Sequence, residues 1–205
     1  SYSRKYGAND LQTFRSGFGN FSSPQNAFLS SQVAMDLQGV WMHNFITMYA
    51  PGLDWGASPF PHPGDRPDLA NSTFVDEDVL VIPRGARQPK EAFAFIAFVQ
   101  SQEGMELLCM GQRKHSPLVE VSERFWKTHP NPYVKLFADL ANSPNAIAPP
   151  KLPLWPEYSA ELTNAFDEVA LLRKTPKQAL DAVQARMQPK LEDYLRIARL
   201  RGNSQ

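Results

Sequence analysis

The chain has 205 residues, 42% hydrophobic and 20% charged, a make-up that fits a folded globular chain rather than a disordered one. Lys+Arg and Asp+Glu both number 21, so the formal net charge is zero, and with no basic excess to track phosphates no nucleic-acid partner is expected. The apolar runs fall far short of the ~20 residues of a membrane span, and the single Cys109 excludes an internal disulfide.

Residues 1–22 are polar, contain glycine and show no clear period; the opening SYSRKYGAND lacks the apolar core of a signal peptide. Ser23-Pro24 reads as a helix start, Ser as N-cap and Pro at the first helical position, leading into a short helix through Phe28 and Leu29. Val33 to Leu37 reads as a short buried strand ending at Gly39, Trp41 to Tyr49 as one or two helical turns, and Leu53 to Ser58 as another short strand. Pro59 to Ser72 holds four prolines and no period, so it reads as a surface loop. Val79-Leu80-Val81-Ile82, apolar throughout and rich in β-branched residues, is the clearest strand.

Helices dominate from there. Pro89 opens one that runs to about Gln100, with Phe93, Ile96, Phe98 and Val99 as a wide apolar face expected to pack on the strand 79–82. Glu103 to Met110 forms a second, carrying Cys109 as a buried apolar residue and stopped by Gly111. A further helix runs through Val134, Leu136, Phe137 and Leu140, a proline-rich connection covers 144–156, and a long helix begins near Pro156. Thr175-Pro176-Lys177-Gln178 has the form of a capping box, and Pro189 is expected to break or kink the helix it opens. Three short strands are too few for a sheet covered on both faces, so part of the sheet is expected to lie outside this sequence.

His43, His62, His115 and His129 have no metal-ligand spacing, and there is no nucleophile elbow, phosphate loop or dinucleotide fingerprint, so no cofactor or metal is expected. Asp76-Glu77-Asp78 places three carboxylates just before the best strand; the arrangement fits either a solvated strand entry or acid–base chemistry. Trp41, after a glycine at a strand end, and Trp155, between two prolines at a helix start, lie at edges between regular elements. There a ring can face a cleft and stack on the apolar face of a sugar. Packing in the core under the helix 42–49 is the other reading of Trp41.

Five segments in order resemble a known family. They are Phe28-Leu29-Ser30-Ser31-Gln32-Val33-Ala34-Met35 with Gly39-Val40-Trp41; Asp54-Trp55-Gly56-Ala57-Ser58-Pro59-Phe60-Pro61; Val79 to Ala86 with Glu91-Ala92-Phe93 and Phe95-Ile96-Ala97-Phe98; Ser101-Gln102-Glu103-Gly104; and Thr175-Pro176-Lys177-Gln178-Ala179-Leu180. The chain resembles the extracellular solute-binding proteins of carbohydrate ABC importers, to which maltose-binding protein belongs. It departs from them at Ser31, where Gly is usual, at Val40, and at Asp76-Glu77-Asp78, which replaces a Gly-rich approach to the strand.

The resemblance implies an α/β, periplasmic-binding-protein-like (type 2) fold of two lobes that close on a sugar. Family members are about twice as long, so it implies the carboxy-terminal half: 1–74 and 115–205 in the second lobe, 78–113 returning to the first. It further implies an extracytoplasmic protein, periplasmic or anchored to the membrane outside the cell, that hands carbohydrate to permease subunits and is not an enzyme. The candidate ligand-binding residues are Trp41, Gly39, Trp155, Tyr158, Asp76 and Asp78. The alternatives are a carbohydrate hydrolase using Asp76 or Glu157, and a sugar sensor or adaptor without transport.

Overall fold

The structure, a computed structural model, describes residues 2–202. In chain order its elements are α1 (Tyr2–Tyr6), α2 (Ala8–Ser16), α3 (Met42–Tyr49), a 3-10 turn (Pro67–Leu69), β1 (Thr73–Phe74), α4 (Pro89–Val99), α5 (Gln102–Gln112), α6 (Glu123–Thr128), α7 (Val134–Ala141), β2 (Ala146–Ile147), α8 (Trp155–Ala170) and α9 (Pro176–Gly202). They form two compact units, residues 1–18 with 149–205 and residues 19–148.

The first unit is built on the antiparallel pairing of α8 and α9. Ala165, Ala179, Val183 and Met187 are buried between them, with Leu154, Leu162 and Val169 packed alongside. Small Ala165 and Ala179 let the helix axes approach, and the longer Val183 and Met187 fill the space beyond. The capping box at the start of α9 forms as its sequence requires: the Thr175 hydroxyl accepts from the Gln178 N–H, and the Gln178 side chain accepts from the Thr175 N–H. The helix then continues through Pro189 without breaking there.

The second unit has two cores. Met105, Cys109, Phe125 and Val134 bring α5, α6 and α7 together, with Phe125 only 1% exposed. Leu29, Met42 and Ile46 form the other, under α3. Ser101 and Ser122 cap α5 and α6 by accepting from Gly104 and Phe125 N–H groups. Glu106 fastens α5 to the start of α6: its carboxylate accepts from the Ser122 N–H at 2.5 Å and the Ser122 hydroxyl at 2.6 Å, which hold its pKa below the usual range. The α5 helix does not stop at Gly111 but runs to Gln112 and is closed by Arg113 in the left-handed region, φ 54°.

The strands differ most from expectation. The regular sheet among the described residues is one parallel pair, Thr73 opposite Ala146 and Phe74 opposite Ile147. Residues 33–37, 53–58 and 79–82 form no strand. A strand needs a neighbour to receive its N–H and C=O groups, and those three segments have none among the described residues. Val79, Leu80 and Val81 accordingly stay exposed, as do Phe93, Phe95 and Phe98 of α4, so α4 does not bury its face on 79–82; it pairs with α5 instead. Met35 and Leu37, placed in a buried strand by their sequence, are also exposed.

Two further expectations fail at the amino end. Residues 24–32 fold as successive turns around Asn26, whose side chain accepts from the Phe28 and Leu29 N–H groups, with Ser31 at φ 59°, rather than as a helix. The stretch 1–22, read as aperiodic, holds α1 and α2.

Two glycines on α5 predict opposite effects. A Cβ on Gly104 would overlap the Phe98 carbonyl oxygen, whereas one on Gly111 meets open space. Gly104→Ala should destabilise by about 1–3 kcal/mol, and Gly111→Ala should stabilise by about 0.5–1 kcal/mol by lowering backbone entropy in the unfolded chain. Urea unfolding of the two variants would read both signs.

Candidate functional site

Trp41 and Gly39 form one local constellation in the second unit. The chain turns at Gly39, whose carbonyl accepts from the Met42 N–H at 3.0 Å, and Trp41 becomes the N-cap of α3. The six-membered edge of the indole lies over Gly39 so closely that a Cβ at that position would overlap it. Glycine is therefore what lets a large ring lie against the backbone here. The indole N–H donates to Gln38 Oε1 at 3.2 Å, and Gln38 in turn donates to Asp36 at 3.3 Å. With its N–H satisfied and one face backed by glycine, Trp41 remains 40% exposed. The core under α3 is filled by Met42, Ile46 and Leu29, so burial under that helix is not the role of Trp41.

Trp155 and Tyr158 stand together in the first unit, on the first turn of α8, with ring centroids 5.9 Å apart. Trp155 is half-buried and Tyr158 exposed. Asp76 and Asp78 lie in the irregular segment after β1, both exposed. Asp76 accepts from the Glu77 N–H, and Asp78 pairs with Lys114 at 3.3 Å. The structure thus joins Trp41 with Gly39 and Trp155 with Tyr158, whereas Asp76 and Asp78 make no hydrogen bond or ion pair with Trp41 or Gly39 among the described residues. Glu157, the other carboxylate weighed for hydrolysis, is paired with Lys190. No group of His, Cys, Asp and Glu among the described residues could hold a metal ion.

Sequence reasoning passed over a polar hub beside α3. Asn131, 1% exposed, donates to the Arg113 carbonyl and accepts from the Tyr133 N–H. His129 bridges the same segments, one ring nitrogen taking the Asn131 N–H and the other donating to the Lys114 carbonyl. Asn44 of α3 joins by donating to the Gln112 carbonyl and accepting from Arg113, and the Tyr133 hydroxyl donates to the Trp55 carbonyl at 3.2 Å. The Asn-Pro turn at 131–132 was the available signal, since Asn commonly bonds its own backbone two residues on.

Residues 16–106 match the family of bacterial extracellular solute-binding proteins. No curated protein sequence matches the chain. Among solved structures, the chain is similar to CpMnBP1 with mannotriose bound, at 28% identity and a TM-score of 0.75 over 90% of this chain and 46% of that one. The mannobiose-bound form of CpMnBP1 matches equally, with 45% of its length covered. This is the fold of an extracellular solute-binding protein. The chain spans a little under half the length of the solute-binding structures it matches. Family and matched structures alike are binding proteins, as the resemblance of the five sequence segments implies. No helix among the described residues is long and apolar enough to cross a membrane.

Burial lowers the pKa of His43 and His115; Arg113 and His129 add to the effect at His43, and Lys114 at His115. A proton is therefore taken up more readily by the unfolded chain. The stability owed to the neutral rings is complete above the ordinary histidine value of about 6.5 and is lost as pH falls below it toward the folded-state value. The melting temperature should drop between about pH 7.5 and about pH 5.5, and the drop should shrink in His115→Gln. Melting curves on both proteins across that range would check it.

Proposed function

We propose that this protein binds a carbohydrate between two lobes outside the cytoplasm and delivers it to the permease subunits of an ABC importer, acting by binding rather than catalysis. The observation that carries the reading is the indole of Trp41 backed by Gly39: an exposed aromatic ring with its own polar atom satisfied offers a flat apolar surface to the C–H face of a sugar ring. Gln38 and Asp36 beside it supply amide and carboxylate groups for hydroxyls. The similarity to structures holding mannobiose and mannotriose supports the same ligand class.

In this reading residues 1–74 and 115–205 belong to the second lobe and 78–113 to the first. The exposed apolar side chains of 79–81 and of α4 support that division, because apolar residues in such a run require cover. Trp155 and Tyr158 are candidate aromatic contacts of their own unit, and Asp76 and Asp78 candidate hydroxyl acceptors, Asp78 remaining open to solvent despite its Lys114 partner. Glu157, neutralised by Lys190, is poorly placed to act as a general acid or nucleophile, which counts against hydrolysis.

Isothermal titration with mannobiose and mannotriose, beside melting curves, tests the site. Trp41→Ala should lose about 2 kcal/mol or more of sugar affinity while the melting temperature without sugar stays nearly unchanged. Gly39→Ala should weaken binding in the same direction by pushing the indole off its seat. Destabilisation of Trp41→Ala by about 3–5 kcal/mol would instead mark a core residue.

A further inference from the structure

His43 sits in the first turn of α3, two places after Trp41, and is half-buried. Its Nδ1 is sealed from solvent and has no hydrogen-bond partner among the described residues. The ring leans on the indole of Trp55, with centroids 5.5 Å apart and planes inclined by 39°. Trp55 is held in turn by Tyr133, whose ring meets it edge-on at 4.8 Å and whose hydroxyl donates to its carbonyl. The residue after His43, Asn44, makes the two bonds that tie α3 to the polar hub, one to the Gln112 carbonyl and one from Arg113. The imidazole therefore stands where α3 meets Trp55 and the hub.

A second proton on that ring has nowhere to settle. Whichever nitrogen carries hydrogen in the neutral ring, the imidazolium carries it on both, and a buried Nδ1–H is then left without an acceptor. A cation in the first turn also opposes the helix dipole, and α3 has no acidic residue there to offset it. The neighbouring elements supply no closer help. Arg113, which closes α5, bonds to the neutral Asn44 rather than to an acid. His129 and Tyr133 belong to the segment that leads into α7, and their ring nitrogens and hydroxyl are already bonded to backbone. Lys114 follows Arg113, and its partner Asp78 is exposed. Asp54 beside Trp55 is exposed as well, and Asp36 on the approach to α3 accepts from Gln38. Burial, then the charge of Arg113 and the presence of His129, hold the His43 pKa below the ordinary histidine value.

We propose that His43 is a proton-operated latch on α3: the neutral ring keeps the helix seated against Trp55 and the polar hub, and the protonated ring releases it, so that the face presenting Trp41 is fixed at neutral pH and loosened in acid. The helix suits such local release, being eight residues long with only Met42 and Ile46 buried. The inference goes beyond the carbohydrate reading and is decided without any sugar.

The test is amide hydrogen exchange on the intact protein at about pH 7.5 and about pH 5.5, each rate divided by its intrinsic rate at that pH, for wild type, His43→Gln and His115→Gln. In wild type the protection of the α3 amides should fall by about threefold to about tenfold on acidification. Tenfold is the limit one pH unit below the ordinary value of about 6.5 that the released ring regains. The amides of α5 and α7 should fall less. His43→Gln should abolish the extra fall in α3, and His115→Gln should keep it. His43→Phe retains a ring against Trp55 but takes no proton, and it decides the matter if the glutamine variant does not fold. Protection of α3 that ignores pH, or that falls only in step with α5 and α7, would overturn the latch. So would an extra fall that survives in the His43 variants, which would place the proton on another group such as His129.

Discussion

The second unit depends on the burial of one neutral polar side chain, Asn131. A buried amide is tolerated only when its donors and acceptors are met, and here meeting them dictates the local architecture. The Arg113 carbonyl must be turned toward Asn131, which accompanies the left-handed residue closing α5; the Tyr133 N–H must point back, which sets the turn into α7. His129 repeats the arrangement one step away, and Asn44 carries it to α3. The helix whose amino end presents Trp41 is thus held in place by hydrogen bonds that begin more than eighty positions along the chain. Replacing Asn131 with an apolar residue would orphan two backbone groups at once, the Arg113 carbonyl and the Tyr133 N–H, a larger loss than either bond alone.

Charge is arranged differently in the first unit. Arg186 with Glu161, Lys190 with Glu157, and Arg173 and Lys174 with Glu168 decorate the outside of the α8–α9 pair. Such exposed pairs contribute little each and fade in salt. What holds the two helices together is the seam of Ala165, Ala179, Val183 and Met187.

The helices were legible in the sequence because their signals are local. Thr175-Pro176-Lys177-Gln178 and the prolines at or just before helix starts act within a single turn, and α4, α7, α8 and α9 all begin within a few residues of where these signals put them. Strands carry no such signal. Val79 to Ile82 is a strong β sequence, yet β structure requires a partner ladder, and propensity gives no account of who the partner is. The reverse failure occurred at Ala8–Ser16, a helix of mostly polar residues with no buried side chain, whose lack of apolar period hid it. At the site, the indole at 41 and the glycine at 39 were readable as a pair from their order. The contact of Phe21 with the Trp41 ring was not, because Phe21 reaches it from a turn twenty residues earlier, a contact without periodicity.

Cys109 has a practical consequence of a different kind. It is the sole thiol of the chain and is buried against Met105, Phe125 and Val134 in the core where α5, α6 and α7 meet. Burial raises its pKa, so it is protected twice over, by lack of access and by scarcity of thiolate. Its rate of alkylation is therefore a clock for the breathing of that core. A reagent added to the native protein would time how often the core under the polar hub opens, with no label introduced and nothing else in the chain to compete for it.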